Sequence, residues 1–461
     1  MIHSNISSTI PKGKWLIIRR IVQYVSLTGF LTLFALTTPR FSSALPVNLF
    51  FRVDPLVALI TGLASRTVIL PLALLTLLVT LLVGRVWCGW VCPVGTLLDI
   101  FPSPRKGRKP PPWWRKAKYV LLGALLFSAV AKVSLLGSLD PITILMRFLD
   151  VLVLKVRPVL PVNGLVMALP LLAILTLNLF APRFWCRYLC PLGALLGLIS
   201  KAAAFHRRVG ENCTECGLCV ELCPMEAISP ENPLTSDPAE CIVCLNCYER
   251  CPRQAISIER ISGIRSPHLP ERRMFLASVI AGATALLLAK ALPSPRQLRP
   301  PGATEESLLS RCVRCGECLK VCPTGALQPD LSGLERLWTP VFVPRIGYCS
   351  YNCNACGAVC PTGAIPALSL EEKRATVIGK AIVDASRCLA WAHLQPCEVC
   401  VKTCPLPRKA IELVKVEAVN KLGEVVTVKC PQVIEELCVG CGICEFNCPV
   451  PGPGAIKVRP L

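Results

Sequence analysis

Histidine is nearly missing: the 461 residues hold four, His3, His206, His268 and His393, and none falls inside an apolar run. A haem held by two histidines within a membrane therefore has no ligands here, and no Cys-x2-Cys-His is present to attach one covalently. Also lacking are a Gly-x-Gly-x-x-Gly after a strand and a phosphate loop, which sets aside nicotinamide and ATP chemistry. No Ser, His and Asp arrangement suggests hydrolysis. Aromatic residues make up only 6%, which argues against a large soluble core. Acidic residues are scarce as well, 29 against 50 Lys and Arg, for a formal charge of +21. The basic residues sit beside apolar runs, in KGKWLIIRR, PRKGRKPPPWWRKAK and HRR, so a positive-inside distribution explains them and no nucleic-acid partner is expected.

What is present points to metal at a membrane. Hydrophobic residues reach 53%, too many for a wholly soluble chain, so appended domains on a membrane protein are expected. Of the 29 cysteines, 28 fall into short repeated spacings, most ending in Cys-Pro, and the total is odd. Such a pattern reads as metal ligands and not as a disulfide scaffold. A cubane with four thiolates carries about −2 when oxidised, so six would offset about half of the positive excess.

Residues 1–205 read as an all-α membrane bundle. Apolar runs at 21–36, 67–86, 119–136 and 164–180 predict four spans with both ends inside. The loop 104–118 holds seven Lys or Arg and the prolines Pro110 to Pro112, so it is expected to be cytoplasmic and non-helical there. The spans form two repeats. One pair ends in GRVWCGWVCPVGTLLD and the next in PRFWCRYLCPLGALLGL, and each pair carries an Asp-Pro, at Asp54 and Asp140, expected in its outer loop. Cys88, Cys92, Cys186 and Cys190 thus belong to one membrane face, either as the ligands of a seventh cluster or as two pairs of redox-active or merely buried thiols.

Residues 206–262 change character. CTECGLCVELCP and CIVCLNCYERCP are the bacterial ferredoxin spacing twice over, in which three cysteines wrap one cubane and the fourth reaches the neighbouring one. This assigns Cys213, Cys216, Cys219 and Cys251 to one cluster and Cys241, Cys244, Cys247 and Cys223 to the other. Strands are expected at MEAIS and RQAIS.

Residues 263–301 contain ERRMFLASVIAGATALLLAKALP and a proline-rich linker. Arg272 and Arg273 before Phe275-Leu276 and an apolar run read as a twin-arginine export signal on a fifth span, in preference to one more anchor helix. Ala289-Lys290-Ala291 is a tolerable small-x-small cleavage site. In residues 302–461 four more groups follow: Cys312, Cys315, Cys318, Cys322; then Cys349, Cys353, Cys356, Cys360; then Cys388, Cys397, Cys400, Cys404; and Cys438, Cys441, Cys444, Cys448. Sixteen ligands make four [4Fe-4S] clusters, six in all, in α+β ferredoxin-like domains, with strands expected at TGAL, TGAI, KAIELVKV and GAIKV. Cys430 is left as an unpaired buried thiol.

CGWVCP, CRYLCP, the adjacent two-cluster ferredoxin, RRMFL and CLAWAHLQPCEVCVKTCP carry a resemblance. The first 270 or so residues resemble the NapH-type membrane component, and the last 170 or so the NapG-type four-cluster component, of the quinol dehydrogenase serving periplasmic nitrate reductase; related pairs accompany methylamine dehydrogenase. Two components usually separate are one chain here. The resemblance implies that the outer cysteine groups pair with each other, Cys312, Cys315 and Cys318 with Cys448, and Cys438, Cys441 and Cys444 with Cys322. It implies the same for the inner groups, Cys349, Cys353 and Cys356 with Cys404, and Cys388, Cys397 and Cys400 with Cys360.

The expected function is electron transfer from quinol through [4Fe-4S] clusters to an extracytoplasmic redox enzyme or cytochrome. The protein would sit in the inner cytoplasmic membrane as a multi-pass chain, with 206–262 cytoplasmic and 302–461 extracytoplasmic. Quinol oxidation releases two protons, and Asp54, Asp140, Arg52, Arg147 and Asp150, expected in the outer loops, are either the candidates to meet them or loop and interface charges that orient the helices. Two other classes compete. A redox maturation factor would need fewer clusters, and a redox sensor would need an output domain for which no stretch remains.

Overall fold

A computed structural model describes residues 13–41, 46–66, 71–101, 110–153, 161–260, 272–290, 296–419 and 424–461. The start of the second expected span, residues 104–109 of the basic loop, the linker up to Pro295 and the small-x-small site at Ala291 lie outside them. The chain forms two units, one of Met1–Ala35 and Asn48–Leu288, the other of Leu36–Val47 and Ala289–Leu461.

In the first unit every expected span falls on a helix: Lys14–Leu36, Pro71–Val83, Ala117–Val130, Pro161–Phe180 and Arg272–Lys290. Among the described residues, Lys14–Leu36 is the one helix long and apolar enough to cross a membrane by itself. The third expected run is shorter than its apolar sequence, because the helix stops at Val130 and Lys132 takes a left-handed φ of 61°. Between the long helices of each repeat lies a shorter one, Pro55–Ser65 in the first and Pro141–Val153 in the second. Both begin with proline, whose fixed φ suits the first helical position and whose missing N–H costs nothing there. Asp54 caps the first by accepting from Leu56 N at 2.7 Å and Val57 N at 3.2 Å, and Asp140 accepts from Thr143 N at 2.7 Å.

Each repeat then makes a π-helical turn, Trp87–Val91 and Trp185–Leu189, before a further proline-started helix, Pro93–Ile100 and Pro191–Ser200. The helix Arg272–Lys290 lies against Ala117–Val130 at small residues: a Cβ on Gly123 would come within 2.4 Å of Ser278, and one on Gly282 within 2.8 Å of the Phe127 ring. Close approach at small side chains is how helices associate where lipid supplies no hydrophobic drive.

The ferredoxin part of this unit is closed by Phe205–Val209 pairing antiparallel with Ile256–Arg260, so its ends are joined as the fold requires. RQAIS therefore enters a strand, whereas MEAIS makes only a single bridge, Ile228 to Ser236.

Among the described residues the second unit holds three two-stranded ladders, Leu327–Pro329 with Pro340–Phe342, Lys380–Val383 with Ile456–Arg459, and Ile411–Val419 with Val425–Val433. TGAL, KAIELVKV and GAIKV accordingly run into strands. TGAI does not: Ala364 and Ile365 are buried against Leu308 instead. Cys430 lies in the strand Val425–Val433 and is buried, as expected of a thiol without a partner group.

Candidate cluster sites

The third cysteine of each ferredoxin-type group sits in a single helical turn: Leu218–Glu221, Asn246–Glu249, Glu317–Val321, Ala355–Val359, Val399–Thr403 and Ile443–Phe446. In the regular groups the residue before that turn is left-handed, Gly217 at φ 73°, Gly316 at 88° and Gly442 at 76°, which folds the first two cysteines back around the same space. Leu245, at φ 60°, takes this position without being glycine. The two groups with stretched first gaps use no such residue, since Asn354 and Glu398 have negative φ. Each turn ends at the Cys-Pro, where proline stops the helix and sends the fourth cysteine elsewhere.

The fourth cysteine decides the partners. Cys241, Cys244 and Cys247 line one cavity with Cys223, as the spacing predicts. Cys213, Cys216 and Cys219 gather close enough for their charges to interact, with Cys251 following the Asn246–Glu249 turn as the expected fourth ligand. In the second unit the partners differ from those the resemblance implied. Cys312, Cys315 and Cys318 surround a cavity with Cys360, not with Cys448. Cys349, Cys353 and Cys356 face Cys322, not Cys404. Cys388, Cys397 and Cys400 line a cavity with Cys448, and Cys438, Cys441 and Cys444 with Cys404. Neighbouring groups therefore exchange their last cysteines, the first with the second and the third with the fourth. The physical reason is reach: the proline-turned cysteine leaves its own helical turn and meets the turn packed next to it, as Glu317–Val321 packs on Ala355–Val359 and Val399–Thr403 on Ile443–Phe446.

These quartets fit cubanes. Among the described residues no three Cys, His, Asp or Glu converge as tightly as a single ion demands; the thiols instead ring hollow spaces. Burial and the neighbouring thiol Cys360 push Cys312 up to about 11, and burial with Cys349 pushes Cys356 to about 12. Thiols raised in this way release protons when they bind iron. Amide donors point at the sulfurs, Ala227 N to Cys223 Sγ at 3.3 Å, Ile365 N to Cys360 Sγ at 3.4 Å and Ala455 N to Cys448 Sγ at 3.3 Å. Hydrogen bonds of this kind set cluster potential, which gives TGAI its role without a strand. The exchange of partners has a direct check. Cys312→Ser combined with Cys360→Ser is expected to remove about four irons per chain, and Cys312→Ser with Cys448→Ser about eight. Iron analysis giving the reverse would restore the outer-with-outer pairing.

The two helical repeats bring their own four cysteines together. Cys88, Cys92, Cys186 and Cys190 are all buried and lie near enough for each to feel the others' charge. Two arginines cross between the repeats. Arg183, of the second, donates to the Cys88 carbonyl at 3.1 Å and the Gly95 carbonyl at 3.2 Å of the first, and to Asp99 Oδ2 at 2.8 Å. Arg85, of the first, reaches the Cys190 turn of the second, where a Cβ on Gly193 would meet its Nη2 at 2.8 Å. Both guanidinium groups are buried.

The spacing gave no hint of what neutralises the basic clusters. Lys118 is buried and donates to Glu240 Oε2 at 2.7 Å; Arg85 also reaches Glu240; Arg19 bonds to Asp99 and to the Cys244 carbonyl at 2.8 Å; Arg115 and Arg187 both reach Glu226. Taking one partner from a buried pair of this kind costs about 3–5 kcal/mol, so these charges hold the ferredoxin part to the helices as well as orienting them. The available signal was the acidic residue beside a ligand, Glu240 before Cys241 and Glu226 after Cys223-Pro224.

Asp54 and Asp140, expected in outer loops, are instead fully buried. They lie close enough for each to act on the other, and the Arg147 charge bears on Asp140. Arg147 and Asp150 are buried too, while Arg52 is partly exposed.

Comparison with known proteins follows the same division. A 4Fe-4S binding domain family matches residues 66–112 and 163–210, once in each repeat. Two 4Fe-4S dicluster domain families match, one at 240–326 and 311–364 and the other at 212–256. The ferredoxin-type protein NapG of Escherichia coli (strain K12) is 38% identical over 207 residues, 41% of this chain and 86% of NapG. The methylamine utilization ferredoxin-type protein MauM of Methylorubrum extorquens is 33% identical over 207 residues, 42% of this chain and 91% of MauM. No solved structure matches.

Proposed function

Because the chain belongs to the ferredoxin-type proteins of which NapG and MauM are members, we propose that it draws electrons from quinol in the inner cytoplasmic membrane and delivers them to an extracytoplasmic redox enzyme or cytochrome. It is an iron–sulfur electron carrier with several 4Fe-4S domains. The six quartets of the ferredoxin-type groups would each hold a [4Fe-4S] cluster, and Cys88, Cys92, Cys186 and Cys190 a seventh. Such clusters supply one-electron transfer; the chain supplies placement, amide donors and burial.

The observation that carries the reading is the pair of repeats, whose helices bring together a buried thiol quartet and two buried carboxyl groups, Asp54 and Asp140. Apolar side chains turned outward support a lipid setting: Leu74, Leu78 and Leu82 on Pro71–Val83, Leu165 and Leu169 on Pro161–Phe180, and Ile280 and Leu287 on Arg272–Lys290 are all exposed. In this reading four spans form the two repeats and Arg272–Lys290 is a retained fifth, held against Ala117–Val130 through Gly282 and Gly123. Residues 206–262 then lie in the cytoplasm and 302–461 outside. The test is to add a short-chain quinol to the anaerobic, oxidised full chain. Appearance of reduced-cluster EPR signals is expected, with Asp54→Asn slowing their onset; no reduction of the wild type would contradict a quinol donor.

A further inference from the structure

The two clusters of the cytoplasmic ferredoxin are not placed alike. The cavity ringed by Cys223, Cys241, Cys244 and Cys247 is lined on one side by Val83, Gly84 and Ser200, at the ends of Pro71–Val83 and Pro191–Ser200. The other set includes Cys216, the one exposed cysteine of the chain. Between the first cavity and the membrane quartet lies a contact of backbone on backbone. Gly89, inside the turn between Cys88 and Cys92, sits so close to the loop carrying Cys241 that a Cβ would lie 2.3 Å from the Ile242 carbonyl oxygen. Trp90 Nε1 donates to the Val243 carbonyl at 2.9 Å, and Gln23 clamps Gly89 by donating to its carbonyl at 2.9 Å. Gly197 makes a matching approach from the second repeat, its Cβ position 2.8 Å from the Ala239 carbonyl oxygen. Two glycines, Gly89 and Gly197, thus let the ligand loop of one set settle onto the repeats that carry the other.

We propose that this contact, the Cys88–Cys92 turn on the Ala239–Cys244 loop, is the passage by which electrons move between the membrane thiolate quartet and the cytoplasmic ferredoxin. The Cys223, Cys241, Cys244 and Cys247 set is its membrane-facing terminal, and the set containing Cys216 is the outlet to a soluble one-electron partner. The inference rests on the membrane quartet holding a cluster, as proposed above. One electron crosses at a time, lost by one set and gained by the other, with no bond made or broken. Tunnelling falls steeply with distance, and the removal of side chains at the contact is what shortens it. The clamp of Arg19 on the Cys244 carbonyl and of Arg85 on Ala239 and Glu240 keeps that distance fixed.

Gly89→Ala tests the passage, because its methyl group alone forces the loops apart. Gly210→Ala is the control, since its Cβ would make only an ordinary 3.7 Å contact with the Ala255 carbonyl oxygen. Anaerobic full-length protein of each is compared for iron content, for EPR spin–spin interaction in the fully reduced state, and for the rate at which quinol-derived electrons appear in the ferredoxin. Gly89→Ala is expected to keep its iron, lose the interaction and slow transfer about tenfold or more, while reduction by dithionite from solution is unchanged. Interaction and rate equal to wild type would overturn the proposal. If Gly89→Ala sheds iron, the wild type decides, because absence of the interaction there overturns it equally. A wild type lacking a seventh cluster shows in the iron count, and one inert to quinol still reports the interaction, so failure of the functional reading is told apart from failure of the passage.

Discussion

Serine in place of Cys315 or of Cys441 is expected to abolish electron delivery to an external acceptor while leaving quinol binding intact. Each belongs to a different pair of interlocked quartets, Cys315 with Cys360 and Cys441 with Cys404. A bilayer of about 30 Å of hydrocarbon is too thick for direct tunnelling between cluster sets on its two faces, and no histidine lies inside an apolar run to hold a haem that would divide that gap. Delivery outside therefore depends on the sixteen cysteines of residues 302–461. The measurement is reduction of an external cytochrome or dye by membranes supplied with quinol, read against iron lost by each variant. Undiminished transfer from variants shown to lack the cluster would mean that the exported domain is not the conduit.

A reporter joined after Gly210 is expected to be active only in the cytoplasm, and one joined after Leu461 only outside it. Arg272→Lys with Arg273→Lys should trap the second reporter inside, since twin-arginine export does not tolerate the change. The reason for proposing such a route lies in the cysteines: a domain that takes up iron in the cytoplasm would have to cross already folded. Because Arg272–Lys290 packs through Gly282 and Ser278 onto Ala117–Val130, the chain is also expected to remain one band of full length. Reporters on the same side would end the export argument, and a clean break near Ala291 would end the reading of a retained helix.

Spacing made the cluster cysteines legible because a cubane imposes local geometry: two residues between ligands and a proline after the last. The partner of that last cysteine was not legible in residues 302–461. Proline frees it from its own turn, and which turn packs alongside is a matter of tertiary structure; Cys360 meets Cys312, Cys315 and Cys318, a fact that no spacing encodes. The repeats were legible down to Arg-x-Trp-Cys, but the work of that arginine was not. Arg85 bonds to a carbonyl 154 residues away, at Ala239. Asp54 and Asp140 were recognisable as a repeated pair before proline, and their meeting could not be read because helices Pro55–Ser65 and Pro141–Val153 carry them inward from what look like loops. TGAI looked like a strand from its β-branched residue, yet its amide goes to Cys360 Sγ and its side chains to the core.

The account's central claim is that every cysteine quartet in the chain holds a cubane, and counting iron and acid-labile sulfide in the anaerobically purified wild type tests it most directly. Seven quartets predict about 28 of each per chain, with Mössbauer spectra of [4Fe-4S] type throughout. Outside the 24 cysteines of the six ferredoxin-type quartets only Cys88, Cys92, Cys186, Cys190 and Cys430 remain, so a seventh cluster has one place to sit. A count near 24 would remove the membrane cluster, and a count near eight, or zinc in place of iron, would contradict the whole reading.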